Sequence, residues 1–474
     1  MSKRIGALFL GLILAFSLTG CNQSDIIPPD TEVEVTDDMN ISFLTNFGFS
    51  KGNDTLLDWN NKFLEETGYT IQVDNLTGNE YYQMLDYTLA MGKANDIVAI
   101  SEGKLPSYVV DEALLDITDF VNESEILSTI PEEYMEAGKV NDRIYGIPVE
   151  FGGGTVTYVR QDILDELGIA VPTTFEEFIS MLEQIKAAYP EMIPYTAPGL
   201  VGNNADYYLA DFYQDASPEI IKVNDKWVDG MLEENMKPAL ERLRNAYAKG
   251  LIDPEIAHNS TSVARTKFME GKAAVFNYWA GQWNMTFQQK LAVNIGEHAI
   301  AAPIKAIKGV PYRIRPAVVM AITKNADCPE SIVKNVFEYM HDNGQGSMLF
   351  QHGVEGIHYK LEGNKIVHQV VGDGVFTRAY ITPSMAFEEL EQYEYEENKD
   401  IQNSLNILKE CGVQQYNLPA SEMYTSISNE LTDIKKQIIS DIMLGVLGID
   451  EGIASYEATA KELGIEQVLQ EMNS

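Results

Sequence analysis

The 474-residue chain has only three cysteines and six histidines, and neither residue type is grouped as a site. His258, His298, His341, His352, His358 and His368 show no His-Glu-x-x-His pattern, and no Cys-x-x-Cys pair occurs, so a zinc site of ordinary spacing is excluded. The strained-serine motif Gly-x-Ser-x-Gly, the phosphate-cradling P-loop and a Gly-x-Gly-x-x-Gly after the first β-prone run are also missing. Their absence removes the simplest hydrolase, nucleotidase and dinucleotide-binding readings. No complete calcium loop is found, and no metal or cofactor is expected. Basic residues are scarce, 34 Lys and Arg against 71 Asp and Glu, for a net charge of −37. A chain of that sign repels phosphate backbones, so nucleic acid is not a partner. With 45% apolar and 22% charged residues the composition is that of a globular protein, neither disordered nor polytopic in a membrane.

What is present begins at the amino terminus. Lys3 and Arg4 precede an apolar run from Ile5 to Leu18, and residues 1–20 read as a secretory signal. Leu18-Thr19-Gly20-Cys21 resembles the bacterial lipobox, which implies cleavage before Cys21 and acylation of its thiol, with palmitate among the expected chains. Two or three acyl chains hold a protein stably at a membrane, whereas one is marginal. Residues 21–39 contain Pro28, Pro29 and six acidic residues without apolar periodicity, the composition of a flexible tether. The expected location is the extracellular face of the cell membrane, held by lipid alone. Cys328 and Cys411 are expected as free thiols, with one disulfide as the alternative.

The folded body starts near Asn40. Ile41 to Thr45, an amphipathic run from Asp54 to Glu66, Tyr69 to Val73, a second helical run with Tyr81, Leu85 and Leu89, and Asp96 to Ile100 predict βαβαβ and a mostly parallel sheet. Three successive glycines, Gly152 to Gly154, mark a bend or boundary, or a flexible hairpin within one domain. Thr174 and Glu177 have capping-box spacing and predict a helix to about Ala188. Hairpins are expected at Ile220 to Val228 and Tyr359 to His368, a helix from Glu233 to Lys249, a buried strand from Ala273 to Tyr278, and helices over the carboxyl-terminal stretch. The fold class is α/β.

Aromatic residues carry the clearest chemical signal. Phe276-Asn277-Tyr278-Trp279-Ala280-Gly281-Gln282-Trp283 sets large rings among small and amide side chains, suited to stacking on sugar C–H faces while amides bind hydroxyls. Core packing is the other use open to these rings.

Several segments together resemble the extracellular solute-binding lipoproteins of ABC importers, the maltose-binding-protein-like group that carries oligosaccharides. Ile144-Tyr145-Gly146-Ile147-Pro148-Val149-Glu150, followed by Thr157 to Leu164, resembles that family's first interlobe crossing. Pro172-Thr173-Thr174-Phe175-Glu176-Glu177-Phe178 resembles its capped helix start, and Phe268-Met269-Glu270-Gly271-Lys272-Ala273-Ala274-Val275 the run whose strand delivers a stacking aromatic into the cleft. An ungapped comparison places Gly281 where the family's principal tryptophan stands, leaving the platform to Trp279 or Trp283.

The resemblance implies a two-lobe, periplasmic-binding-protein-like fold (class II), with crossing strands between the lobes and the ligand in the cleft. Residues 40–150 plus about 317–410 would form the first lobe, and about 151–316 plus 411–474 the second. The expected ligand contacts are Trp279, Trp283, Tyr278, Glu150, Phe151, Asn46, Glu102, Tyr207 and Arg313, with Tyr208 and Arg315 as further candidates. The partners implied are an oligosaccharide or related small solute and the transmembrane subunits of an ABC permease; a monomer is expected. Hinge closure about Gly152 to Gly154 and Pro316 is the expected response. Two other readings stay open: a surface-anchored glycan-active hydrolase or lyase using two carboxylates, and a binding protein for a peptide or other non-sugar solute.

Overall fold

The computed structural model describes residues 40–45, 53–76, 79–100, 104–149, 153–200, 205–369, 393–395, 398–415, 417–419 and 421–474. Cys21 and the tether lie outside these residues, as do Asn46, Glu102, Glu150, Phe151 and Gly152.

In the first lobe β1 (Asn40–Thr45) pairs in parallel with both β2 (Thr70–Asn75) and β3 (Ile97–Ile100), the expected βαβαβ arrangement. The period-two alternation of β1 divides its side chains. Ile41 and Phe43 face a core with Trp59 and Phe63 of the helix Asn53–Thr67, while Leu44 faces one with Tyr81 and Leu85 of the helix Asn79–Ala90. All of Ile97–Ile100 is buried, as befits a strand covered on both faces. The sheet is completed by β4 (Ile147–Pro148) and by a strand that arrives much later in the chain.

The second lobe is built on β5 (Thr155–Arg160), β6 (Ile193–Thr196), β7 (Ala273–Trp279) and β8 (Ala301–Ile304), in the order β8-β5-β7-β6. β7 runs antiparallel to β5, with Trp279 opposite Thr155. The helix Phe175–Ala188 opens on the expected capping box: Glu177 N–H donates to Thr174 Oγ1, and the Glu177 carboxylate accepts from the main-chain N–H of Thr174. Its stripe Phe178, Met181, Leu182 and Ile185 packs into the core. The hairpins 220–229 and 359–368 form as expected. The carboxyl-terminal helices Glu422–Met443, Ile449–Leu463 and Ile465–Met472 join the second-lobe core and are tied to it by a buried polar link. There Asp229 accepts from Tyr456 OH at 2.5 Å and faces Lys435 Nζ at 3.4 Å.

Three segments of chain lie side by side where the lobes meet, two of them crossings between the lobes. β9 (Tyr312–Ile314) lies parallel to β11 (Gly412–Gln414), and between them in sequence β10 (Val319–Ile322) inserts antiparallel between β3 and β4 of the first-lobe sheet. Arg315 N–H donates to Gly153 O, Ala280 N–H to Gly154 O, and Gln415 N–H to Ile314 O, so the segments are laced by main-chain hydrogen bonds. Gly154 has no room for a side chain: a Cβ there would lie 2.6 Å from Leu408 Cδ1 and 2.9 Å from Arg313 O. Leu408 belongs to the helix Lys399–Cys411, which the sequence places in the first lobe. The helix instead packs on the second, where Leu408 enters the core, Ser404 Oγ accepts from Gly281 N–H at 2.9 Å and Asn284 donates to Asp400 O at 2.7 Å. Its apolar stripe finds a partner in the helix Gln282–Asn294, so the chain returns to the second lobe before the expected position near 411.

Candidate functional site

A groove of about 950 Å³ opens between the lobes. The first lobe contributes Asp86, Lys104, Ser107, Lys324 and Asn325, and the second Tyr207, Glu219, Tyr424, Ser428 and Asn429. Arg315 and Pro316 of a crossing, and Gln415 and Asn417 from the segment beside it, also line the groove. Hydroxyls, amides and a few charges of both signs are therefore presented in a space at the upper end of the range for small-ligand sites.

Beside the groove the end of β7 forms an aromatic nest. Trp279 is half-buried, its ring centroid 6.1 Å from that of Tyr207 and 6.0 Å from that of Tyr208, which meets it edge-on. The Arg315 guanidinium lies over the Trp279 ring at 4.6 Å. The backbone on both sides is held: Tyr158 OH donates to Trp279 O at 2.9 Å, and Thr155 Oγ1 donates to Tyr207 O at 3.0 Å. Tyr207 and Arg315 are common to the nest and the groove.

Trp283 occupies a different place. Gly281 takes φ +79 and starts the helix Gln282–Asn294, which turns Trp283 toward Tyr278 and Phe287. Arg265 stands over the Trp283 ring at 4.4 Å and donates to Tyr278 OH at 3.2 Å. Tyr278, expected as a cleft contact, is 3% exposed and stacks between Tyr208 and Phe276; burial pushes its phenol pKa up. Alternation along a strand explains this, because Tyr278 and Trp279 must point to opposite faces. Arg313, also expected at the ligand, is buried and donates to Ala216 O at 2.8 Å, which fastens the crossing strand to the second lobe. Trp279, Tyr207, Tyr208 and Arg315 are thus brought together; Tyr278 and Arg313 are buried, and Trp283, half-buried like Trp279, packs against the second-lobe core.

Behind the nest lies a buried polar cluster. Thr157 Oγ1 donates to Asp211 Oδ2 at 2.7 Å and accepts from Asn277 Nδ2 at 2.9 Å, while Thr157 N–H donates to Tyr312 OH at 3.2 Å. Asp211 Oδ1 and Asn277 Oδ1 have no donor. Desolvation pushes the Asp211 carboxyl up to about 6, against the lowering effect of the Thr157 hydroxyl. Among the described residues no three His, Cys, Asp or Glu side chains converge as a metal would require, and no helix is long and apolar enough to cross a membrane. Cys328 and Cys411 are free thiols.

The profile of the family described as bacterial extracellular solute-binding protein matches residues 52–346, more than half of the chain. The chain belongs to that family. Solved structures share the solute-binding architecture over nearly its whole length. An HMO-binding, ABC-transporter-associated solute-binding protein from Bifidobacterium longum infantis is 15% identical with a TM-score of 0.71, covering 92% of this chain and 98% of that one. The N-glycan transport solute-binding protein NgtS from Streptococcus pneumoniae, in complex with Man1GlcNAc, is 18% identical with a TM-score of 0.63 over the same shares. Identities this low establish the two-lobe α/β fold, not the ligand. Lipoprotein LipO of Bacillus subtilis is 22% identical over 339 residues, 67% of this chain; the match spans 65% of LipO's length.

Sequence reasoning about this solute-binding protein missed most of the groove. Lys104, Ser107, Lys324, Asn325, Gln415, Asn417 and Ser428 come from helices, turns and connections far apart in sequence, where each looks like an ordinary solvated residue. One signal was available at Ser421, the cap of the helix Glu422–Met443, because the first turns of that helix line the groove.

Proposed function

We propose that this protein captures an extracellular oligosaccharide in the interlobe groove and presents it to the transmembrane subunits of an ABC permease, while acyl chains on Cys21 hold it at the outer face of the membrane. One observation carries the reading: an aromatic nest around Trp279 adjoins a groove whose other side chains are mainly hydroxyls, amides and isolated charges. A sugar presents the same mixture, apolar C–H faces rimmed by hydroxyls, and stacks on a ring while bonding to amides. The oligosaccharide-binding proteins of the same fold lend support. Asn46 and Glu102, which follow β1 and β3 in sequence, and Glu150 and Phe151 of the first crossing are proposed as further contacts.

Capture requires the ligand to touch both lobes. A solute that bonds to Ser107 and Lys324 on one side and Tyr207 and Ser428 on the other interacts more strongly with the closed arrangement, and the equilibrium shifts by that difference. The crossing passes bend while each core stays intact. The activity is binding, without turnover. The test is a thermal-shift and calorimetric screen of the purified protein over neutral oligosaccharides, uronides and peptides, with product analysis of each bound mixture. Saturable binding of an unaltered oligosaccharide is expected, adding RT ln(1 + [L]/Kd) to the stability and raising the unfolding midpoint as the ligand concentration rises. Cleavage of the sugar, or binding only to peptides, would refute the reading.

A further inference from the structure

Trp279 is offered above as the stacking platform, and three consecutive residues at the end of its strand are each fixed by a different part of the molecule. We propose that Ser404 and Tyr158 are positioning residues for that platform: without touching the sugar, their hydroxyls hold the main chain on either side of Ala280 and so aim the Trp279 ring at the groove. The inference rests on the oligosaccharide reading and assigns part of the site's affinity to the helix Lys399–Cys411, none of whose residues line the groove.

The anchors follow one another residue by residue. Tyr158 OH donates to Trp279 O at 2.9 Å, and Ala280 N–H donates to Gly154 O at 2.9 Å. Ser404 Oγ then accepts from Gly281 N–H at 2.9 Å while donating to Ile401 O at 3.0 Å. Tyr158 and Ser404 are fully buried, so a main-chain group that lost either hydroxyl would find no water in its place. Burial pushes the Tyr158 phenol pKa up and the Ser404 hydroxyl opposes the rise, as it must when the two anchors are neighbours. Gly281 supplies the change of direction: with φ +79 and no Cβ it lets β7 end and the helix Gln282–Asn294 begin within two residues.

Ser404 is one step of a stripe. Asp400, Ser404 and Leu408 recur every fourth residue along one face of the helix Lys399–Cys411, and each meets a different point around the platform. Asp400 O accepts from Asn284 at 2.7 Å, Ser404 holds Gly281, and Leu408 occupies the space that a Cβ on Gly154 would need. Gly154 is also the residue whose carbonyl fixes Ala280, so the helix lies as a splint along the whole support of the ring. A side chain held before the ligand arrives loses less freedom on binding, and immobilising one at an interface ordinarily opposes binding by a factor of about 2 to 10. Releasing the anchors should make the ligand supply that factor.

The test compares the purified protein with Ser404→Ala and Tyr158→Phe, each of which deletes one hydroxyl, and either variant decides alone should the other fail to fold. Time-resolved anisotropy of Trp279 emission, isolated as the difference from Trp279→Phe, should show a wider range of ring motion in both variants. Calorimetry with four neutral tetrasaccharides, from the malto, cello, xylo and manno series, should show that any of them bound by the protein binds each variant about 2- to 10-fold more weakly. In a Trp279→Ala background the same two changes should leave the remaining affinity as it is, which a role in general stability would not produce. Unchanged anisotropy, or an affinity that stays the same or falls equally with and without Trp279, would overturn the proposal. Binding of no tetrasaccharide to any of these proteins would count against the oligosaccharide reading, and the anisotropy comparison would still decide whether the two hydroxyls fix the ring.

Discussion

Replacing Asp211 with asparagine should stabilise the protein at neutral pH and do nothing at acid pH. The Asp211 side chain is fully buried, receives one hydrogen bond from Thr157 and leaves Oδ1 without a donor, so its charged form is poorly solvated. Its carboxyl is raised from an ordinary 3.8 to about 6. The folded state therefore holds this proton more tightly than the unfolded state. The stability gained from the proton is fully present below about pH 4 and is lost as pH rises through about 6. Roughly two pH units correspond to about 3 kcal/mol at pH 7 and above. Asparagine has the same shape and no charge, and its amide supplies the donor that a carboxylate lacks in a cluster where Asn277 Oδ1 also has none. For a lobe of this size each kcal/mol moves the midpoint by about 2 to 4 °C. Thermal unfolding of both proteins at pH 4, 5, 6 and 7.5 should show curves that coincide at pH 4 and separate progressively, with Asp211→Asn higher. A variant that is less stable by the same amount at every pH would show that the ionised carboxylate is well accommodated and refute the reasoning.

Three further outcomes are expected. Gly154→Ala should lower the unfolding midpoint by the equivalent of about 1 to 3 kcal/mol, because its Cβ overlaps Leu408 and the Arg313 carbonyl; an unchanged midpoint would mean the crossing is looser than described. Trp279→Ala should weaken oligosaccharide binding by about 5- to 150-fold, whereas Trp283→Ala should leave binding nearly unchanged and lower the unfolding midpoint through its lost packing on Tyr278 and Phe287. The opposite assignment of the two effects would make Trp283 the platform. Cys21→Ser should abolish acylation, which metabolic labelling with palmitate would detect, while solution affinity stays the same; labelled protein after this change would disprove the anchor.

The parts of the fold that follow local rules were legible. Period-two alternation in Ile41 to Thr45, the Thr174 to Glu177 spacing and the turn at Asn224 and Asp225, both with positive φ, each satisfy their own physical requirement within a few residues. The lobe assignment of Lys399–Cys411 was not legible, because an amphipathic stripe states that a face is buried and not what buries it. The site divides the same way. A run rich in aromatics announced Trp279, but Arg313 and Arg315 look alike in sequence while one is locked onto Ala216 and the other lies over the ring. Strand alternation alone sets Tyr278 and Trp279 on opposite faces, so only one of the two could meet a ligand.

The crossings between the lobes also bear on how the chain folds as it is made. β10, at residues 319–322, is the strand that joins β3 to β4, so the first lobe's sheet stays incomplete until more than two thirds of the polypeptide exists. The second lobe waits longer, for helices that end at Met472. Neither lobe can therefore close early and independently, as contiguous domains do when they fold from the amino terminus during synthesis. Truncations that stop before residue 319 should yield a protease-sensitive chain, and the nascent polypeptide should stay open for most of its synthesis.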